Sequence, residues 1–266
     1  MTSSPSDLVA SRIDGPVLTI TMQSAATGNA LNLAMTSALA DALERVNAHE
    51  EVRCVVLRAS GKNFCTGGNV NDMRDGTDLM AGSTTQVRER LLKRLHRITH
   101  AVHGIEVPVI AAVNGLAIGA GFDLSLMCDV RLCSEDARFS ESFLRLGLVS
   151  GIGGAWFLTR LVGLSKAMEL TLTSEFIDAQ TALRLGVVSQ VLGADRLHEE
   201  ALKLAERIAM NPPHGMRMAK RLVRDASQST LAGALEQAAS MQAILLCGDE
   251  HKNAVRGFLA NGRGAR

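Results

Sequence analysis

Residues 108–123 read Pro108-Val109-Ile110-Ala111-Ala112-Val113-Asn114-Gly115-Leu116-Ala117-Ile118-Gly119-Ala120-Gly121-Phe122-Asp123. The first six form a short continuous apolar run, the pattern of a strand covered on both faces in a parallel sheet. Asn114-Gly115 ends it, and a glycine-rich turn at 119–121 opens a small-residue helix reaching Met127. A strand followed by a glycine turn and a helix leaves backbone N–H groups unpaired at the helix start and aims them outward.

The same order occurs upstream. A β-rich run at 52–58 is followed by Phe64-Cys65-Thr66-Gly67-Gly68-Asn69-Val70. Two N–H donors converging on one oxygen make an oxyanion hole, which favours developing enolate or tetrahedral charge over a neutral carbonyl. Glycines of this kind also serve tight turns and close helix–strand packing. A dinucleotide fold is excluded. Gly119-Ala120-Gly121-Phe122-Asp123-Leu124 lacks the third glycine, and Gly151-Ile152-Gly153-Gly154-Ala155-Trp156 has a Trp where a small residue is needed. The chain also has no Gly-Lys-Ser/Thr phosphate loop.

Outward from these turns, residues 8–13 and 17–22 alternate around Asp14-Gly15-Pro16 and predict a β-hairpin. Asn32 is placed to cap a helix whose apolar face is Met35, Leu39, Leu43 and Val46. Residues 74–84 are the least patterned internal stretch and are expected to form a mobile loop. A helix is expected over 85–103, with Leu91, Leu92, Leu95, Ile98 and Val102 on one face. A strand at 129–133 and a short apolar piece at 187–191 complete the strands. Pro212-Pro213 breaks a helix ending near Met210, and residues 231–246 carry the longest helical pattern. The organisation is an α/β core over 1–195 followed by a helical region over 196–266.

Composition narrows the function. Lys+Arg 28 against Asp+Glu 27 gives a net charge of +1, so no field draws nucleic acid. Seven Phe, one Trp and no Tyr leave few platforms for stacking bases. The opening MTSSPSD lacks the charged and apolar regions of a secretory leader, and the most apolar stretch, 108–122, is too short to span a membrane. Five cysteines with no Cys-x-x-Cys pair argue against structural zinc and for a reduced, cytoplasmic compartment.

Taken in order, Asn29-Ala30-Leu31-Asn32, Phe64-Cys65-Thr66-Gly67-Gly68-Asn69, residues 108–115, residues 119–123, Cys128-Asp129, Leu146-Gly147-Leu148, Gly153-Gly154, Leu161-Val162-Gly163 and residues 182–188 resemble the enoyl-CoA hydratase/isomerase (crotonase) superfamily. The resemblance covers about residues 8–260. It implies a spiral of ββα units with a helical C-terminal region that builds a homotrimer or a dimer of trimers. It also implies an acyl-CoA substrate, with no cofactor or metal beyond the coenzyme A that the substrate carries. The thioester oxygen would sit between the amides of Gly68 and Ala120. Asn29, Ala30, Leu31, Cys65, Gly67 and Asn69 resemble the elements flanking coenzyme A, and Phe258 resembles an aromatic that closes the site from a neighbouring subunit.

Hydratases of this superfamily use two glutamates to hold and activate water. At the first position this chain has Asp123, a carboxylate one methylene shorter; at the second it has Phe143, which transfers no proton. The loop Ser150-Gly151-Ile152-Gly153-Gly154, where some relatives carry an aspartate, has none. Glu141 is the nearest remaining carboxylate, read either as a catalytic helper or as a surface group capping 142–146. Asp123 likewise reads as the proton-transfer group or as a complement to a helix dipole. A single base can remove and return a proton on a conjugated enolate, so moving a double bond is easier to support here than hydration. The alternatives are a catalytically silent acyl-CoA-binding protein and a thioester hydrolase on the same scaffold.

His96, His100 and His103, with Arg88, Arg90, Lys93, Arg94 and Arg97, read as a solvated basic helix face. Ser150 lacks the Gly-x-Ser-x-Gly order of a nucleophile elbow.

Overall fold

The computed structural model describes residues 8–260; the N-terminal heptapeptide considered as a leader lies outside them, as do the last six residues. The alternating segments form a hairpin, β1 (Val9–Asp14) and β2 (Val17–Met22), paired antiparallel. Asn32 caps α1 (Leu33–Glu44), its Oδ1 accepting the Met35 N–H at 2.8 Å, and Met35, Leu39 and Leu43 are buried. β3 (Cys54–Ala59) and a short α2 (Val70–Asp75) follow.

The 74–84 stretch is not the mobile loop its composition predicts. A 3-10 turn at Asp78–Met80 buries Leu79, and Asp78 Oδ1 accepts the Leu33 N–H at 2.7 Å, so the segment is tied to the start of α1. The expected 85–103 helix forms in three consecutive pieces: α3 (Thr84–Arg90), a π turn (Leu91–Leu95) and α4 (His96–Gly104). Ser83 and Gln86 close a capping box at its start.

The quoted stretch becomes β4 (Val109–Val113), β5 (Leu116–Ile118) and α5 (Ala120–Met127). β6 (Val130–Ser134), β7 (Arg138–Ser140) and a 3-10 turn (Ser142–Leu146) repeat that order. Then come α6 (Gly154–Val162), α7 (Leu164–Thr173), β8 (Ile177–Asp178), α8 (Ala179–Arg184) and β9 (Gln190–Leu192). The C-terminal helices are α9 (Leu197–Ala209), α10 (Pro213–Ala226), α11 (Leu231–Cys247) and α12 (Asp249–Ala260).

Six strands form one sheet in the order β1-β2-β3-β4-β6-β9, parallel from β2 onward; β5-β7-β8 form a smaller second sheet. The chain climbs as a spiral of ββα turns. Each turn adds a strand to the large sheet, crosses to the small one and closes with a helix: β3, Cys65 and α2; then β4, β5 and α5; then β6, β7 and the 3-10 turn. The crossings are in register, Cys65 with Ala117 and Ala117 with Phe139. This is the spiral of ββα units that the resemblance implies.

Burial follows the two-residue period of a strand. Val55, Leu57, Val109, Ala111 and Val113 face the larger core with α1 and α4, while Cys54, Val56, Ile110 and Ala112 face Leu197, Ala201 and Ala205 of α9. All five residues of β4 are buried, as the continuous apolar run predicts. Among the described residues no helix is long and apolar enough to cross a membrane.

A buried ion-pair cluster fixes α10 to the core. Asp129, in the turn before β6, takes Lys220 Nζ at 2.6 Å and Arg224 Nη2 at 3.0 Å and also accepts the Val109 N–H at 2.8 Å. The Lys220 side chain is only 8% exposed. Removing its counter-ion leaves a buried charge unpaired. Asp129→Ala should therefore lower unfolding free energy by about 3 kcal/mol, read from urea denaturation. An unchanged midpoint would show that α10 docks by apolar packing alone.

Candidate active site

The in-register crossing sets the site. Cys65 N–H donates to Leu116 O, and Ile118 N–H donates to Cys65 O, both at 3.0 Å. Three residues beyond the paired Cys65 and Ala117, the two chains reach Gly68 and Ala120 side by side. Ala120 is the first residue of α5, so its N–H has no acceptor within the helix. Neither the Gly68 nor the Ala120 N–H donates to an acceptor among the described residues. Gly121 permits the approach: a β-carbon there would collide with the Cys65 carbonyl.

These amides lie in a cleft of about 530 Å³. Ala30, Gly67 and Asn69 line it, with Met73, Phe143 and Leu148 providing apolar wall. Asn29, Leu31 and Cys65 do not, which corrects their assignment to the ligand surface. Asn29 is fully buried, its Oδ1 accepting the Ser24 N–H at 2.8 Å and its Nδ2 donating to Ser60 O and Asn63 O. Leu31 is buried and its N–H holds Gly67 O at 2.8 Å. Cys65 is buried on the paired crossing, and burial pushes its thiol up to about 12. These three shape the cleft from behind. Phe258 lies exposed on α12 and is not brought to the cleft within one chain.

Two carboxyl groups are buried on the adjoining elements, α5 and β7, which the Gly119 N–H joins through Ser140 O at 2.8 Å. Asp123, in the first turn of α5, is 0% exposed, and Glu141, just after β7, is 3% exposed. The surface capping role for Glu141 is therefore wrong: its side chain caps nothing and points into the protein. The two groups are close enough that each shifts the titration of the other. As carboxylates, Asp123 Oδ1 and Glu141 Oε1 would have no donor; a single proton between them satisfies both. Burial raises the Asp123 carboxyl, while hydrogen bonds from Glu141, Ser150 and the Gly154 N–H act in the opposite direction. Burial pushes Glu141 further, to about 10, and the Asp123 charge and hydrogen bond add to that rise. At neutral pH the pair holds one proton, weighted toward Glu141.

The surroundings of the pair were largely missed in the sequence. Ser150 Oγ donates to Asp123 Oδ2 at 2.6 Å and accepts the Gly154 N–H at 2.8 Å. A β-carbon at residue 154 would collide with the Asp123 carboxyl, so only glycine fits. Ser174 Oγ donates to the Glu141 carbonyl at 3.2 Å. His96 is half-buried, its Nε2 2.8 Å from Gly151 O, while Thr99 Oγ1 donates to Ile152 O at 2.8 Å. Helix α4 thus clamps the 150–154 loop, and His96 does not belong to a solvated face. Arg97 pairs with Asp41 at 2.7 Å and Glu44 at 2.6 Å on α1. The one available sequence signal was the glycine-rich setting of Ser150, in the loop where relatives carry an acid.

Among the described residues no three His, Cys, Asp or Glu side chains cluster as a metal site. Two larger clefts, about 580 and about 790 Å³, run along α10. Their carboxylates, Glu106, Asp129 and Asp225, are all ion-paired to Lys or Arg, so neither matches the unpaired carboxyls of Asp123 and Glu141.

The chain matches the family model described as enoyl-CoA hydratase/isomerase over residues 12–263. It is 33% identical to 2,3-dehydroadipyl-CoA hydratase of Escherichia coli and 30% identical to 1,2-epoxyphenylacetyl-CoA isomerase of the same organism, each over 96% of both chains. The crystal structure of enoyl-CoA hydratase from Mycobacterium smegmatis superposes with a TM-score of 0.88 at 32% identity, covering 96% of both chains.

The pair makes stability depend on pH. The folded chain keeps the Glu141 proton up to about pH 10, while an unfolded glutamic acid releases it near pH ~4. Between those values the folded state binds more protons, so stability falls as pH rises. Glu141→Gln keeps the shape without the titration. The variant should gain on the parent steadily as pH rises above the ordinary carboxylate range. Parallel urea curves at each pH test this, and a pH-independent difference would mean Glu141 ionises normally.

Proposed function

This chain belongs to the enoyl-CoA hydratase/isomerase family, and on that premise we propose that it moves the double bond of an enoyl-CoA rather than adding water across it. The thioester oxygen lies between the Gly68 and Ala120 N–H groups, which stabilise the dienolate more than the neutral carbonyl. Asp123 takes a proton from carbon, and Glu141 gives its own to the other end of the conjugated system. The hydrogen bond between the two then returns the proton to Glu141, so the site ends the cycle as it began.

The observation that carries this reading is the pair of buried carboxyl groups, Asp123 on α5 three residues after Ala120 and Glu141 just after β7. A hydratase needs its second acid at the position of Phe143, and there the ring packs on Gly119, 3.5 Å from where a β-carbon would stand. An apolar wall at that point disfavours an ordered water. Neither carboxyl lines the cleft, whose wall on that side includes Gly119, Ala120, Ser142 and Phe143. The acyl chain reaches the pair by displacing the half-buried Phe143 ring. Proton transfer through a dienolate calls for no group beyond the coenzyme A of the substrate.

The resemblance also supports a homotrimer or a dimer of trimers built through the C-terminal helices. Leu231, Leu235, Ile244, Phe258 and Leu259 are all more than half exposed on α11 and α12. Large apolar side chains left exposed on neighbouring helices favour self-association. In that assembly Phe258 would close the cleft of a neighbour. The five cysteines are free, four of them buried, which suits a reducing cytoplasm.

Incubation with 3-enoyl- and 2-enoyl-CoAs separates the outcomes. Isomerisation leaves the mass unchanged and alters ultraviolet absorbance of the conjugated thioester. Hydration adds about 18 Da and hydrolysis frees coenzyme A, and either as the main product overturns the proposal. Tight binding without turnover would identify a silent acyl-CoA-binding protein. Asp123→Asn should reduce kcat by about 1,000-fold or more while acyl-CoA affinity stays within a few-fold.

A further inference from the structure

Asp123 and Glu141 are both buried carboxyl groups, yet their donors are unequal. Asp123 Oδ2 receives the Ser150 hydroxyl at 2.6 Å, whereas among the described residues no protein donor reaches the Glu141 carboxyl; the facing Asp123 Oδ1 and Glu141 Oε1 have none. The Ser150 hydroxyl is not free to turn. Its oxygen accepts the Gly154 N–H at 2.8 Å, and that N–H is fixed as the first residue of α6. With a lone pair so occupied, the hydroxyl proton points to Asp123. The loop is held in turn by His96 on Gly151 O and Thr99 on Ile152 O, so the donor arrives on a braced backbone.

We propose that Ser150 is a positioning residue for the proton transfer: its hydroxyl, oriented by the Gly154 amide, holds Asp123 as the charged acceptor of the pair and leaves Glu141 as the donor. The inference rests on the isomerase reading for its consequence in catalysis, though not for the protonation state itself. A carboxylate receiving hydrogen bonds is stabilised in its charged form, whereas its undonated partner keeps the proton. Without those donors the preference of the proton for Glu141 would rest on burial alone, and more of the molecules would present the wrong group to carbon.

Other charges do not supply the bias. The elements packed against Asp123 carry His96, Arg97, His100 and His103 on α4 and Arg160 on α6, and none contributes to its shift; Glu141 is the one titratable group that does. Arg97 is committed to α1, and Arg160 lies over the Trp156 ring.

Ser150→Ala should lower kcat/KM by about 10- to 100-fold, with KM nearly unchanged. It should also move the acid limb of the kcat/KM profile up by about one pH unit, since Asp123 then protonates more readily. Ser150→Thr restores the hydroxyl and should restore both. The independent readout is the titration of ¹³C-labelled Asp carboxyls in the free protein by NMR, which needs no substrate. An Asp123 titration that moves up in Ser150→Ala and back in Ser150→Thr supports the assignment even if no enoyl-CoA is isomerised, in which case the functional reading alone fails. A lower rate with the limb and the titration both unmoved would show that Ser150 only supports the loop, and the proposal falls.

Discussion

The in-register crossing of Cys65 against Ala117 is the constraint on which the site depends. Parallel pairing of two successive spiral turns at one point dictates what lies three residues further on, and there the two chains present Gly68 and Ala120. No side chain contributes to these two unpaired amides, so their spacing is set by strand pairing and by the start of α5. The large sheet holds that crossing rigid, because β3 and β4 are paired neighbours with both faces covered. The third turn continues the ladder through Phe139, and the residue two beyond it is Glu141. One repeated geometry therefore delivers two amides and one of the acids.

Much of this was legible in the sequence, for reasons that can be named. The apolar run at 109–113 is continuous because both faces of β4 are buried, and glycines mark the turns because backbone must approach backbone at Gly121. The hairpin around Gly15 and the Asn32 cap are local chemistry and formed as expected. The tethering of 74–84 was not legible, since it depends on Asp78 reaching the Leu33 amide 45 residues away in sequence. The ligand surface was overread at Asn29, Leu31 and Cys65 because a motif marks a segment, whereas burial decides which side chains face out.

The acids show where local pattern fails. Glu141 precedes a short 3-10 turn, and a carboxylate there resembles an exposed cap. Its burial follows from long-range packing: Ser174 holds its carbonyl, and Asp123 approaches from another turn of the spiral. Ser150 was judged as a nucleophile and dismissed, while its position four residues before Gly154 is what lets one hydroxyl meet both an amide and a carboxylate. His96 was likewise misjudged, since its partner is a backbone carbonyl that leaves no trace in residue type.

Burying two carboxyl groups is costly unless they share a proton, because desolvation of a second charge and repulsion between like charges both oppose ionisation. The pair with one proton carries a single negative charge, held on Asp123 by donated hydrogen bonds. In the proposed isomerisation, the proton that Asp123 takes from substrate carbon leaves that charge on the thioester oxygen between the Gly68 and Ala120 amides. The buried charge changes place without changing size, and donors already wait at both locations. Reorganisation is therefore small at the moment of reaction, which is the condition under which fixed dipoles are most effective. Water beside the pair would screen both ends of that transfer, and in the proposed reaction the acyl chain takes the space that the Phe143 ring fills.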